Sequence, residues 1–242
     1  ISDSCGHCLE VKRDDYLEPA NHAPNSRVVK DTRLQNIYAV LKGTDPAQAN
    51  RRLLVTGHYD SRNSDIFNTH DPAPGANDDA SGVAVSLESA RVLSKLRFPS
   101  TIVFVAVAGE EQGLLGSRHL AKLARAEGWE LEGVLNNDIV GGDRTLGMTS
   151  NVEERQAVRI FSEGVPGAAT PEQIRTIEAL GAESDSPSRE LARAIAELTP
   201  NYFDSGSLRP RPLGSLPGLH ITAFHPVLIF RPDRFLRGGD HS

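Results

Sequence analysis

No apolar run in this chain approaches the roughly 18 residues that a membrane-spanning helix requires, so no membrane span is expected in it. Its first residues, Ile1-Ser2-Asp3-Ser4-Cys5, lack the basic and apolar regions of a signal peptide. The chain does not open on Met, so this leaves open what precedes it. Positive charge is in deficit: 26 Lys and Arg stand against 32 Asp and Glu, for a net charge of −6. With a pI near 5.8 the chain has no electrostatic footprint for nucleic acid or an anionic membrane surface, and neither is expected as a partner. Asn-x-Ser/Thr signals are absent. Cysteine is limited to two residues, in Cys5-Gly6-His7-Cys8. A redox pair should follow a strand and open a helix, and a zinc ribbon needs a second pair, so a structural disulfide or inert thiols are favoured. Two cysteines do not decide the compartment.

What is present is one domain's worth of alternating apolar pattern. At 242 residues, 38% hydrophobic and 24% charged, the chain suits a single sizeable core, read here as one domain over 1–242. Leu53-Leu54-Val55 and Ile102-Val103-Phe104-Val105-Ala106-Val107 are short runs apolar on both faces, as central parallel strands require. Between them Val83, Leu87, Ala90, Leu93 and Leu96 recur at helical spacing, with Asp79 or Ser81 available as the N-cap. A second helix is predicted over about 115–126, a strand over about 133–139, and a third helix over 188–198 introduced by Ser186-Pro187. Residues 34–42 alternate like an edge strand. The fold class is therefore α/β, a three-layer α/β/α arrangement with a mostly parallel central sheet.

The polar motifs fall where such strands end. His58-Tyr59-Asp60, Gly109-Glu110-Glu111 and Asn136-Asn137-Asp138 each follow an apolar run, Asn77-Asp78-Asp79 lies in the loop that opens the following helix, and His241 stands one residue before the last. Ligands bind beyond the carboxyl ends of an open parallel sheet. Taken singly, each residue has an ordinary reading: a hydrogen-bonded histidine, a helix cap, a solvated acid pair. Taken together, Asp78, Glu111 and Asp138 with Glu110 would repel one another unless cations sat among them. Two divalent ions remove that repulsion, and mixed His and carboxylate ligands suit zinc better than calcium or magnesium. Asp60, two residues after His58, can accept its free ring N–H.

Residues 29–203 and 227–242 resemble the co-catalytic di-zinc exopeptidases that include bacterial secreted aminopeptidases, with glutaminyl cyclases and the transferrin-receptor ectodomain as relatives. The motifs that carry the likeness are Gly57-His58-Tyr59-Asp60-Ser61, the run from Pro74 to Gly82, and Gly109-Glu110-Glu111-Gln112-Gly113. The resemblance implies two zinc ions bridged by Asp78, one completed by His58 and Asp138 and the other by Glu111 and His241. It also implies Asp60 as the residue orienting His58, a cis Asp78–Asp79 peptide, and Glu110 as general base. The implied substrate is a peptide or small amide with a free N-terminus, and the implied location is secreted or periplasmic.

The chain departs from that pattern in a Pro- and Gly-rich stretch, read as an insertion over 204–225, where His220 and His225 are taken as surface residues. It also ends where relatives continue with a strand and a helix, so a truncated fragment is expected, with weak binding of the second metal. Trp129 and Phe203 are expected in the core. A glutaminyl cyclase, a carboxypeptidase and a non-catalytic receptor-like domain are the competing readings. The Asp78-Asp79 pair argues against the first, and the complete ligand set argues against the last.

Overall fold

Strands that are apolar on both faces need helices on both sides of the sheet, and this requirement organises the structure. The computed structural model describes residues 1–140, 157–160, 162, 165, 169–182, 186–198 and 209–211. It divides into two compact units, residues 1–138 and 139–242.

The first unit is built on a five-stranded sheet. Its elements are β1 (Leu9–Glu18), β2 (Thr32–Leu41), β3 (Arg51–His58), α1 (Ala80–Leu93), β4 (Thr101–Val107), α2 (Leu115–Ala126) and β5 (Glu130–Asn136). The strand order is β1-β2-β4-β3-β5. β4, β3 and β5 run parallel, while β2 lies antiparallel to β4, and β1 antiparallel to β2. The predicted α/β class therefore holds, as a mixed open sheet with a parallel block carrying the motifs.

The alternation of side chains across the strands separates two cores. Leu54, Val103, Val105 and Val107 cluster with Leu120 and Ala124 of α2 and with Trp129 and Leu131. Val55, Ile102 and Phe104 cluster with Ala90 of α1 and with Leu9 and Leu41. Successive residues of β4 thus serve opposite faces, and α1 and α2 cover opposite sides. Trp129 is in the core as expected, edge-on to Tyr38 at 5.9 Å between ring centroids, with the Arg52 guanidinium 4.2 Å from its ring centroid.

One expectation changes, and one holds. The run at 34–42 is not an edge strand: β2 pairs on both sides, with β1 and with β4. The edge is β1, Leu-Glu-Val-Lys-Arg-Asp-Asp-Tyr-Leu-Glu, whose charged side chains hid it in the sequence. An edge strand needs only one backbone partner, and charge protects its open side. Cys5 and Cys8 form a disulfide behind a short 3-10 turn, Asp3–Cys5, and pack against the α1-side core. They precede a strand and open no helix, so the structural reading holds over the redox one.

The second unit contributes β6 (Ala157–Arg159), α3 (Pro171–Ala179), α4 (Pro187–Leu198) and β7 (Arg209–Arg211), with β6 and β7 pairing in parallel. The helix predicted at 188–198 is α4, whose Ser186 hydroxyl accepts the Arg189 N–H. α3 was not anticipated, although Thr170-Pro171-Glu172-Gln173 forms a full capping box with proline in the first turn. Apart from residues 209–211, the expected insertion at 204–225 lies outside the described residues, as does Phe203.

Burial on both faces makes the parallel block sensitive to truncation. Leu54→Ala removes a core side chain and is expected to destabilise the fold by about 2–5 kcal/mol, whereas Val11→Ala on the exposed edge should stay within about 0.5 kcal/mol. Denaturant midpoints of the two variants check the contrast.

Candidate metal centre

The chain leaves β3 toward α1 on one face and leaves β4 toward α2 on the other, so the two loops diverge and open a crevice at the carboxyl ends of adjacent strands. His58 is the last residue of β3, Glu110 and Glu111 follow β4, and Asp138 stands two residues beyond β5. Asp78 and Asp79 immediately precede α1.

Close backbone packing sets this rim. A Cβ on Gly57 would lie 2.6 Å from the carbonyl carbon of Gly82, and one on Gly82 would lie 2.3 Å from the Asn137 carbonyl oxygen. Only glycines let the start of α1 sit against the ends of β3 and β5. Asn137 donates its backbone N–H to the Thr56 carbonyl at 2.9 Å, which seats the segment carrying Asp138. After β4, Gly109 adopts φ 66°, a conformation that favours glycine, and turns the chain into Glu110.

Two carboxylates fix the loops. Asp79, 1% exposed, accepts the Gly82 N–H at 2.9 Å as the N-cap of α1 and the His58 N–H at 3.0 Å. Asp60 accepts the backbone N–H groups of Glu110 and Glu111, each at 3.1 Å. His58 Nδ1 lies 3.1 Å from the Asp60 carbonyl oxygen and 3.7 Å from its carboxylate. Asp60 therefore meets His58 chiefly through its carbonyl rather than through the expected carboxylate, which has the further task of holding the Glu110-Glu111 turn. Burial pushes the Asp60 carboxyl up, but His58 and the two amides outweigh it and hold it below the usual range.

The tightest grouping of ligand atoms is that of His58, Asp79 and Asp138, within 4.8 Å of one another. Both Asp79 oxygens are already engaged by backbone N–H groups, which makes Asp79 a poor donor. Asp78 is the better one: its Oδ1 lies 3.1 Å from His58 Nε2 and its side chain is 44% exposed. The Asp78–Asp79 peptide is cis, as the resemblance implied. Glu110 Oε2 stands 4.0 Å from His58 Nε2. Glu111, 8% exposed, is held by Arg62, whose Nε lies 2.6 Å from Oε2.

The electrostatics show that the residues fit a cation. Burial alone would lower the His58 pKa, but hydrogen bonds to Asp60 and Asp78 and the nearby Asp79 charge raise it to about 11. Burial, reinforced by Asp79, raises Asp138 to about 8, with His58 opposing. Without a metal, then, protons occupy the place of positive charge among these acids, and a histidine with several carboxylates is a donor set for a divalent ion. Among the described residues the structure brings together His58, Asp60, Asp78, Glu110 and Asp138, and joins Glu111 to them through Asp60. His241 lies outside the described residues, as do His220 and His225. Sequence reading missed Arg62 and Arg27, which donates to the Glu111 carbonyl at 2.5 Å. Arg62 sits beside a recognised motif, but Arg27 is 84 residues from its partner and leaves no local signal.

Residues 36–187 match peptidase family M28. The chain is 43% identical over 240 residues to a "Probable zinc metalloprotease" of Pyricularia oryzae, covering 98% of this chain and 42% of that protein. A "Probable zinc metalloprotease" of Leptosphaeria maculans is 38% identical over 237 residues, covering 97% and 48%. The chain thus spans less than half the length of these relatives. Among solved structures, Porphyromonas gingivalis glutaminyl cyclase superposes with a TM-score of 0.57 at 19% identity, covering 93% of this chain and 67% of its own. A leucine aminopeptidase precursor from Bacteroides thetaiotaomicron gives 0.54 at 16% identity, covering 88% and 66%. Identities this low show a shared fold and do not choose between the two activities.

Asp79→Ala would remove an N-cap and strand the His58 N–H in the interior. The expected loss is about 2–4 kcal/mol of stability, read from chemical denaturation, together with weaker uptake of divalent metal.

Proposed function

The chain belongs to peptidase family M28, and on that premise we propose that it carries the catalytic core of a zinc-dependent aminopeptidase that releases N-terminal residues from peptides. The observation that carries this reading is the Glu110 carboxylate, 4.0 Å from the ring nitrogen of His58 in a rim of acids that call for cations. Two zinc ions would be held by His58, Asp78, Glu111, Asp138 and His241, with Asp78 shared and His58–Asp138 and Glu111–His241 as the separate pairs. The family, the printed names of the two fungal relatives and the donor chemistry support zinc. Bound zinc supplies Lewis acidity, polarising the scissile carbonyl and making water more acidic.

The chain's own residues do the rest. Glu110 takes the proton of the attacking water at its carboxylate and returns it to the departing amine. Asp60 sets where Glu110 stands, because its carboxylate binds the Glu110 N–H. His58 is kept in one ring orientation by the Asp60 carbonyl at Nδ1, which leaves Nε2 for the metal. The crowd of carboxylates also favours a protonated α-amino group at the rim, which supports exopeptidase over endopeptidase action. Export to a secreted or periplasmic location belongs to the same proposal.

Glu110→Gln is expected to retain its metal and to lose about 10²–10⁴-fold in kcat, measured on an aminoacyl chromogenic substrate with metal content determined in parallel. Near-normal turnover would remove Glu110 from the role. A chelator should abolish activity and lower Tm, with both restored by zinc. Peptides acetylated at the N-terminus should not be cleaved; cleavage of them, or cyclisation of a glutaminyl peptide in place of hydrolysis, would overturn the aminopeptidase assignment.

A further inference from the structure

Glu111 is gripped at three points by residues of two other segments. Its N–H is bound by the Asp60 carboxylate at 3.1 Å, its carbonyl by Arg27 Nη1 at 2.5 Å, and its side-chain Oε2 by Arg62 Nε at 2.6 Å. Arg27 comes from the connection between β1 and β2, Asp60 and Arg62 from the connection between β3 and α1, and Glu111 itself from the turn after β4. Oε1 takes no hydrogen bond from the described residues. Arg62 is in turn steadied by donating Nη1 to the Asn63 carbonyl at 3.2 Å.

We infer that Arg62 is a positioning residue that holds one oxygen of Glu111 so that the other is presented to the second metal ion. The inference rests on the two-metal reading above. A carboxylate with both oxygens unheld rotates and loses side-chain entropy when it binds an ion, whereas one already fixed at Oε2 has lost that freedom beforehand. Arg62 can hold it because its guanidinium is planar and permanently charged, so that Nε can grip one carboxylate oxygen while Nη1 is anchored to the backbone. Glu111 is only 8% exposed, so its charge requires a partner whether or not metal is bound. A positive group beside a metal ligand could instead act as a rival, occupying Glu111 until the ion evicts it. The two roles predict opposite signs. A positioning residue strengthens metal binding and its loss weakens it; a rival does the reverse.

The test is metal titration of the intact chain, wild type against Arg62→Met and Arg62→Lys, by competition between the protein and a chromophoric chelator for zinc. Wild type is expected to take up two equivalents, the second more weakly than the first. In Arg62→Met the equivalent that depends on Glu111 should weaken about 10–100-fold, while the equivalent that depends on His58 and Asp138 keeps its affinity. Arg62→Lys should recover part of the loss, because an ammonium restores the charge without the fork. A general folding defect would weaken both equivalents together, and that outcome overturns the inference. Unchanged or tighter second-ion binding in Arg62→Met, with two equivalents in wild type, overturns it while leaving the metallopeptidase reading intact. Wild type that binds fewer than two equivalents overturns the two-metal reading and this inference with it.

Discussion

The structure depends on one electrostatic constraint: several carboxylates are gathered around a nearly buried imidazole at the carboxyl edge of a parallel sheet. Asp60, Asp78, Asp79 and Asp138 each act on His58 through a hydrogen bond or their charge. Such a group is tolerable only if positive charge enters it, as protons or as metal ions. The raised values of His58 and Asp138 are the protonic solution, and the donor set is what makes the metallic one available.

Within that constraint the acids divide the labour by what their oxygens already hold. Asp79 is consumed by the backbone of His58 and Gly82, and so becomes the piece that locks β3 to α1. Asp60 likewise ties the Glu110-Glu111 turn to the end of β3. Asp78 and Asp138 are left facing the His58 ring. Adjacent aspartates of identical type thus carry different duties, and the difference is set by which of them faces backbone N–H groups. The cost of leaving a buried N–H unpaired makes this division hard to shift.

The same logic extends outward to the arginines. Arg62 pairs with the nearly buried Glu111 carboxylate, and the turn that carries it is braced by Arg27 from a segment far away in sequence. The rim is therefore a set of loops cross-linked by ionic and charge-assisted hydrogen bonds. These bonds fix the rim side chains independently of any ion, the arrangement that precise metal binding favours.

Much of this was legible in the residues themselves. The runs at 53–55 and 102–107 are apolar on both faces, so they had to be central strands; the helical spacing from Val83 to Leu93 had to be a helix; and the acids at their ends had to meet at one edge. What escaped was whatever lacked local periodicity. β1 is an edge strand stabilised by backbone pairing with β2, so its charged side chains carry no pattern. Residues 34–42 alternate whether they lie at an edge or, as here, inside, because only the neighbour's presence distinguishes the two. The amino-acid sequence by itself determined the α/β class and the identity of the polar residues at the strand ends, because apolar periodicity and motif spacing are properties of nearby residues. Only the tertiary structure decided that Asp79 is a clamp, that Asp60 holds a turn and that Arg27 and Arg62 grip Glu111, because those roles depend on which hydrogen-bonding groups distant segments place within about 3 Å.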